Sequence, residues 1–237
     1  MSLRLIACGS VDSTNSESLR RLDQGAEPPF LLMAEAQTKG RGRSGKVWSS
    51  PSGNFYGTFA LPADQADATM AQVSFVAALA LAHVLEGLGL KPDLKWPNDI
   101  LINGAKISGI LLEKQGPILL VGMGINLGHH PGLPDYPSTS LAELGHDLSP
   151  QDMASQLALQ FDAVYTKWQA QGFATIREAW LGRAYKLGET ITARLSGHAP
   201  KQGRFAGLAG DGALQLRTDA GLELVHAGEV YFHAAGH

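Results

Sequence analysis

Residues Gln37 to Trp48 read Gln-Thr-Lys-Gly-Arg-Gly-Arg-Ser-Gly-Lys-Val-Trp, so that the cations Lys39, Arg41, Arg43 and Lys46 are threaded among Gly40, Gly42 and Gly45. No acidic residue occurs between Glu35 and Asp64. Glycine allows positive φ and close backbone approach to a ligand, while guanidinium forks and successive N–H groups suit phosphate or carboxylate oxygens. The loop is therefore suited to an anion; a solvated basic surface loop is the plainer alternative. The spacing Gly40-x-Gly42-x-x-Gly45 also satisfies the dinucleotide fingerprint and, with Val47, the glycine-loop pattern of kinases. Context rejects both. Lys46-Val-Trp-Ser-Ser-Pro-Ser-Gly cannot open a helix, and neither His-Arg-Asp nor Asp-Phe-Gly occurs.

A second cluster surrounds Lys106. Asn103-Gly104 joins the apolar runs Ile100-Leu-Ile and Lys106-Ile-Ser-Gly-Ile-Leu-Leu-Glu113 and predicts a hairpin with a type I′ turn. Such a hairpin fixes Asp99 and Lys106 on rigid strands. Strand alternation puts Lys106 and Ser108 on one face, opposite Ile107, and Gly109 leaves room for a ligand. A lysine between Ile107 and Ile110 is half buried and needs an anionic partner. An edge lysine that discourages aggregation is the competing reading. Just upstream lies Lys95-Trp-Pro-Asn-Asp99, and downstream Ile118 to Asn126 reads as an interior strand with close approaches at Gly122 and Gly124. Asn126 at its end is either a turn residue or a ligand contact.

Near the start, Asp12-Ser13-Thr14-Asn15 precedes a helix, with Thr14 and Glu17 forming a capping box. Capping alone accounts for these residues, yet a helix N-terminus also offers N–H groups and hydroxyls to a small polar ligand. None of the eight histidines stands at metal-ligand spacing, and the single Cys8 has no partner for a disulfide or a Cys-x-x-Cys site. No protein-built metal cage is expected.

The elements that must hold these residues are legible in outline. Strands are predicted at Leu3 to Cys8, Phe30 to Glu35 and Asn54 to Leu61, the last two flanking the basic loop. Met70 to Leu88 is apolar all round, as a core helix is, and its apolar run to Leu85 is shorter than the roughly 20 residues of a membrane span. Ser149-Pro150 starts a helix whose stripe is Met153, Leu157, Phe161, Val164 and Trp168, and a further helix covers Ala174 to Arg183. Five short strands then follow, at Thr190 to Leu195, Gly203 to Leu208, Ala213 to Thr218, Leu222 to His226 and Val230 to His233, enough for a small closed sheet or barrel. The chain's 237 residues are 44% hydrophobic and 17% charged, which suits a globular protein of one or two domains. A net charge of −3 argues against broad nucleic-acid binding. Met1-Ser-Leu-Arg carries no apolar signal region, so a cytoplasmic location without a membrane anchor is expected.

In their order, Asp12-Ser-Thr-Asn15, Gln37-Thr-Lys-Gly-Arg-Gly-Arg-Ser-Gly45 with Trp48, Lys95-Trp-Pro-Asn-Asp99, Lys106-Ile-Ser-Gly-Ile110 and Gly122-Met-Gly-Ile-Asn126 resemble the signature of biotin protein ligases, the biotin–[acetyl-CoA carboxylase] ligases. The resemblance implies an α+β fold: a class II aminoacyl-tRNA synthetase-like catalytic domain, residues 1–186, with a mixed sheet flanked by helices, and an SH3-like small β-barrel, residues 187–237. It implies that ATP adenylates the biotin carboxylate and that a lysine of the biotin carboxyl carrier protein of acetyl-CoA carboxylase then takes the biotinyl group. Carried over by motif, Ser13, Thr14, Asn15, Gln37, Gly40, Arg41, Gly42, Arg43, Lys106 and Gly109 would meet biotin. Arg41, Arg43, Trp48, Lys95 and Asn126 would meet ATP. Arg41, Lys106, Lys95 and Asp99 would serve the chemistry, with Mg²⁺ accompanying ATP near Asp99.

Ser44 and Lys46 stand where many relatives have arginine, and a lysine replaces a planar fork by a point charge. With the catalytic strand starting near Leu3, a stand-alone form without an N-terminal DNA-binding domain is expected. A homodimer is left open. So are two other activities, a lipoate or octanoate ligase on the same kind of fold and a non-catalytic biotin-binding or carrier-docking protein.

Overall fold

A computed structural model describes residues 3–63, 65–132, 137–194, 199–226 and 228–232, and the side chains of 44, 67, 68, 229, 231 and 232 lie outside that description. The first part of the chain runs β1 (Arg4–Val11), α1 (Thr14–Asp23), β2 (Phe30–Gln37), β3 (Phe55–Pro62), α2 (Asp67–Ala71) and α3 (Val73–Gly87). Then come β4 (Pro92–Lys95), β5 (Asp99–Ile102), β6 (Ala105–Gln115), β7 (Ile118–Ile125), α4 (Pro150–Gln171) and α5 (Phe173–Leu181). Seven strands form one sheet in the order β1-β2-β3-β7-β6-β5-β4. Only β1 and β2 are parallel, joined through α1; the other neighbours are antiparallel, which makes the sheet mixed.

Alternation along the strands assigns the two faces. Met33, Phe55, Phe59, Val121 and Met123 pack with α3, α4 and α5 in the main core. Phe59 stacks on Phe161 of α4 at 4.0 Å. Phe30, Leu32, Ala60 and Leu120 point the other way and pack with Leu19 and Leu22 of α1. Being short, α1 covers only part of this second face. The remainder carries Gly109, Gly122 and Gly124, whose missing side chains leave the floor of a cavity.

Helix α3 is buried round its circumference from Val73 to Ala82, as its mostly apolar sequence requires, and is exposed at Glu86 near its end. Its helical run Thr69–Gly87 nearly matches the expected helix, Met70 to Leu88, and outruns the expected apolar run, Met70 to Leu85; it is long and apolar enough to cross a membrane by length and composition, but most of it is buried in the core. Helix α4 begins as expected, with the Ser149 hydroxyl accepting from the Asp152 N–H at 3.0 Å and Pro150 in the first turn. All five predicted stripe residues are buried.

Two local expectations are corrected. The N-cap of α1 is Ser13, one residue before Thr14: its Oγ accepts from the Ser16 N–H at 3.4 Å. Glu17 does not reach back to the cap but pairs with Arg20 and Arg21. In the β5–β6 hairpin, Asn103 and Gly104 have φ of 51° and 78°, as a type I′ turn demands. The register slips, however, between Ile100, opposite Ser108, and Leu101, opposite Lys106. Ile107 is thus an extra residue, and the bulge breaks strict alternation. Lys106 lies over Gly109, whereas Ser108 is fully buried with no partner for its hydroxyl.

The last part of the chain is a five-stranded antiparallel sheet of β8 (Thr190–Arg194), β9 (Lys201–Leu208), β10 (Leu214–Thr218), β11 (Gly221–Val225) and β12 (Glu229–Phe232), in the order β11-β10-β9-β8-β12. Leu195 and His233, expected at the ends of two of these strands, lie outside the described residues. This small β unit is fastened to the large sheet by the Trp96 indole N–H, which donates to the Gly212 carbonyl at 3.1 Å. Gly212, at φ 92°, presses its backbone on Phe75, where a Cβ would come within 2.8 Å of the ring.

Candidate active site

Between β2 and β3 the basic loop folds into a flap. The Trp48 N–H donates to the Gly40 carbonyl at 3.0 Å and the Gly42 N–H to the Lys46 carbonyl at 2.7 Å, with a 3₁₀ turn, Arg43–Gly45, at the tip. Its three glycines serve different ends. Gly45 alone uses left-handed backbone, at φ 73°. Gly40 is required for space, because a Cβ there would stand 2.4 Å from the Trp48 carbonyl oxygen. Gly42 meets no such limit from the protein itself and lines the cavity.

Beneath the flap lies a cavity of ≈ 890 Å³, within the range usual for small-molecule sites. One end is neutral and polar. The Gln37 amide donates to Ser50 at 2.9 Å, and its carbonyl accepts from the Thr14 N–H at 2.8 Å. Thr58 donates to the Asn15 carbonyl at 2.6 Å, and the Asn15 amide donates to Glu113 at 2.9 Å. Gly122 permits this arrangement, since a Cβ there would lie 2.6 Å from Asn15 Oδ1.

The other end is cationic. Lys106 Nζ pairs with Asp99 Oδ1 at 2.5 Å and sits 5.4 Å from the centre of the Trp48 ring. The indole lies on Gly109 and Gly124: a Cβ on Gly124 would be 2.4 Å from Trp48 Nε1. That N–H is buried and without a hydrogen-bond partner. The Lys106 backbone is clamped on its outer side, donating to Pro137 and accepting from Thr139. Buried Asn126 donates to the carbonyls of Lys106 and Thr139 while lining the cavity, so it ties this clamp together. Lys95, at the end of β4 opposite Asp99, is buried in the wall. Arg43 reaches the Asn98 carbonyl at 3.5 Å and the Gly228 carbonyl at 3.2 Å, bridging the flap to the small β unit.

The structure therefore brings together Ser13, Thr14, Asn15 and Gln37 at one end, Lys95, Asp99 and Lys106 at the other, and Arg41 and Arg43 above them. Gly40 stands apart, its role confined to the root of the flap. Arg41 and Lys106 line one and the same cavity. Among the described lining residues, the cations Arg41, Arg43, Lys46, Lys95, Lys106 and Arg194 face a single carboxylate, Asp99. On a chain of net charge −3 this is a strong local concentration of positive charge, able to neutralise a multiply charged anion. Sequence reasoning missed Glu113, Thr58, Ser50, Asn98 and Arg194. Glu113 could have been found, because it stands two positions beyond Leu111 and four beyond Gly109 on the cavity face of β6.

Among the described residues there is no group of three or more His, Cys, Asp or Glu able to hold a metal ion. Mg²⁺ is commonly held by one or two carboxylates together with substrate phosphates. Asp99 is the residue here that fits such an arrangement.

Asp12 braces the flap from outside. Its backbone carbonyl accepts from the Lys39 N–H at 2.8 Å, and its carboxylate takes hydrogen bonds from Arg20 and the Ser13 N–H. Arg20 holds the Asp12 carboxyl at about 2, below the ordinary 3.8. A lowered carboxyl pKa stabilises the fold above the unfolded value and loses that contribution as pH falls towards the folded one. Asp12→Asn is expected to lower the unfolding free energy measured with urea at pH 7 by less than ~1 kcal/mol, because the pair is solvent-screened, with the difference from the parent shrinking below about pH 4. Equal losses at pH 7 and pH 3 would contradict this.

Known proteins resemble this chain over most of its length. Residues 8–129 match the model of the biotin/lipoate A/B protein ligase family, and residues 186–233 match that of the biotin protein ligase C-terminal domain. The biotin–[acetyl-CoA-carboxylase] ligase of Paracoccus denitrificans is 43% identical over 93% of this chain and 97% of its own length. The chain belongs to the biotin protein ligase family. Another relative, the bifunctional ligase/repressor of Bacillus subtilis, is 31% identical over 97% of this chain and 74% of its own. A solved biotin protein ligase from Aquifex aeolicus, in complex with biotin and ATP, superposes with a TM-score of 0.85 at 28% identity, covering 96% of this chain and 97% of that one. The fold of the biotin protein ligases, a mixed sheet flanked by helices followed by a small antiparallel β domain, is thus the fold described above.

Proposed function

We propose that this chain is an ATP-dependent biotin protein ligase that forms biotinyl-5′-AMP and passes the biotinyl group to a lysine of the carrier protein of acetyl-CoA carboxylase. The observation that carries the reading is the convergence of Arg41 and Lys106 on one cavity that is neutral and polar at one end and cationic at the other. A ligand joining an uncharged hydrogen-bonding ring to a carboxylate, and then to a phosphate, matches that polarity.

In the first step a carboxylate oxygen of biotin attacks the α-phosphorus of ATP, the bond to the β-phosphate oxygen breaks, and pyrophosphate leaves. Two anions must meet, so neutralisation and positioning supply most of the catalysis. Lys106, on its clamped strand, holds the reacting carboxylate and then the acyl phosphate. Arg41 and Arg43 close over the phosphates from the flap, and Lys95 supports them from the wall. Trp48 and Asn126 contact the nucleotide, and Ser13, Thr14, Asn15 and Gln37 contact the ureido ring. Asp99 is the carboxylate that would help hold an Mg²⁺ ion brought by ATP, whose charge would offset the phosphates. In the second step the carrier's amine attacks the acyl carbon, the bond to the AMP oxygen breaks, and the amine gives up its proton to solvent. No enzyme nucleophile is needed.

Residues 1–186 are read as the catalytic part and 187–237 as the small β domain, a division supported by the spans of the two matching family models. The cytoplasm, which supplies ATP, is the proposed location of this reaction. Incubation of the pure protein with biotin, MgATP and a carrier domain is expected to yield a carrier heavier by one biotinyl group. No mass shift, or pyrophosphate release supported better by lipoate or octanoate than by biotin, would refute the proposal.

A further inference from the structure

Glu113 receives hydrogen bonds from two elements that the ligand must engage together. Its Oε2 accepts from Asn15 Nδ2 at 2.9 Å and from Arg41 Nη2 at 3.2 Å, and its Oε1 accepts from the same Arg41 nitrogen at 3.3 Å. Arg41 Nη1 also donates to Ser16 at 3.3 Å. Glu113 therefore stands where the N-terminal turn of α1 meets the flap.

The contacts extend into a longer chain. From Glu113 they pass through Asn15 to Thr58, which lies 2.8 Å from Thr14 Oγ1, then through Gln37 to Ser50 and on to the Trp48 carbonyl. Both ends are on the flap, Arg41 at one and Trp48 at the other. A carboxylate can only accept, so Glu113 selects the orientation of the Asn15 amide: Nδ2 must face it, and Oδ1 must face the Thr58 hydroxyl. The reverse orientation would set oxygen against oxygen at Glu113. Meanwhile the guanidinium has five N–H donors, and Glu113 and Ser16 occupy only part of them, so a braced Arg41 still has donors for an anion.

We propose that Glu113 is a positioning residue, which fixes the Asn15 amide for recognition of the neutral ring and holds the Arg41 guanidinium of the flap beside the first turn of α1, so that one carboxylate couples ring recognition to the flap. The inference rests on the ligase reading above. Failure of that reading would be seen in the parent enzyme, whereas failure of this one would be seen only in the variants.

Three proteins test it: the parent, Glu113→Ala and Glu113→Gln. Alanine removes both contacts. It is expected to raise the KM for biotin by about tenfold while the KM for ATP and kcat stay within about threefold, and to speed dissociation of preformed biotinyl-AMP by about tenfold, as the loss of one charge-assisted hydrogen bond would. Glutamine keeps an acceptor for Asn15 but carries no charge for Arg41. It should bring the KM for biotin back to within about threefold of the parent while leaving adenylate release as fast as in the alanine variant. A merely structural role would not separate these two readouts. Parent-like values in Glu113→Ala, losses in Glu113→Gln equal to those in Glu113→Ala on both readouts, or a parallel rise in the KM for biotin and ATP with a lowered Tm would each overturn the proposal.

Discussion

Lys106→Ala is expected to slow biotinyl-adenylate formation by about 10³-fold, equivalent to roughly 4 kcal/mol of transition-state stabilisation, while leaving the protein folded. The fold should survive because the backbone of Lys106, not its side chain, is what residues 137 and 139 grip. The side chain contributes an ammonium beside Asp99 and a cation–π contact with Trp48, both within the cavity. Lys106→Arg should rescue little. The space around Nζ is already limited by Trp48 and Gly109, and a planar fork cannot occupy the position of a compact ammonium. Pyrophosphate release driven by biotin measures the step directly, and thermal unfolding checks the fold. Turnover of Lys106→Ala within tenfold of the parent would remove Lys106 from the chemistry.

Much of this site is legible in the order of the residues, for identifiable reasons. Glycine and arginine alternating over a few residues suit a loop that meets an anion, with the neighbouring motifs setting aside a plain surface loop, and the Asn103-Gly104 turn has one favoured geometry. The stripe of α4 is legible because a helix with one buried face repeats its apolar residues at a fixed period. What escapes has physical causes too. Ser13 and Thr14 are both good caps, and only the backbone path decides between them. The bulge at Ile107 leaves no mark in Lys-Ile-Ser-Gly-Ile, so alternation misassigns Ser108. Glu113 escapes because residue type points to groups that hold an anion, whereas its contribution is to hold the groups that do. Strand alternation puts it on the cavity face of β6, but its partners Asn15 and Arg41 are 98 and 72 residues away in sequence, so that local pattern cannot name them. Arg194 belongs to the small β unit, and nothing in the residues around it along the chain places it at the cavity.

Gly122→Ala is expected to weaken biotin binding by about 100-fold although it adds only one methyl group. That carbon would stand 2.6 Å from Asn15 Oδ1 and 3.3 Å from its Cγ, so the amide must leave its place. Moving it breaks the bond from Thr58 and the bond to Glu113 together, and two such bonds at about 1–1.5 kcal/mol each give the stated loss. Gly9→Ala is the control, since a Cβ there meets nothing within 4 Å, and it should bind biotin as the parent does. A double-mutant cycle separates the clash with Asn15 from any wider disturbance of β7. In an Asn15→Ala background the added methyl has lost its obstacle, and Gly122→Ala should then cost less than about threefold. If calorimetry instead gives the same penalty with and without the Asn15 side chain, the methyl is acting on the strand and not on the amide, and Asn15 does not recognise the ligand in the orientation described.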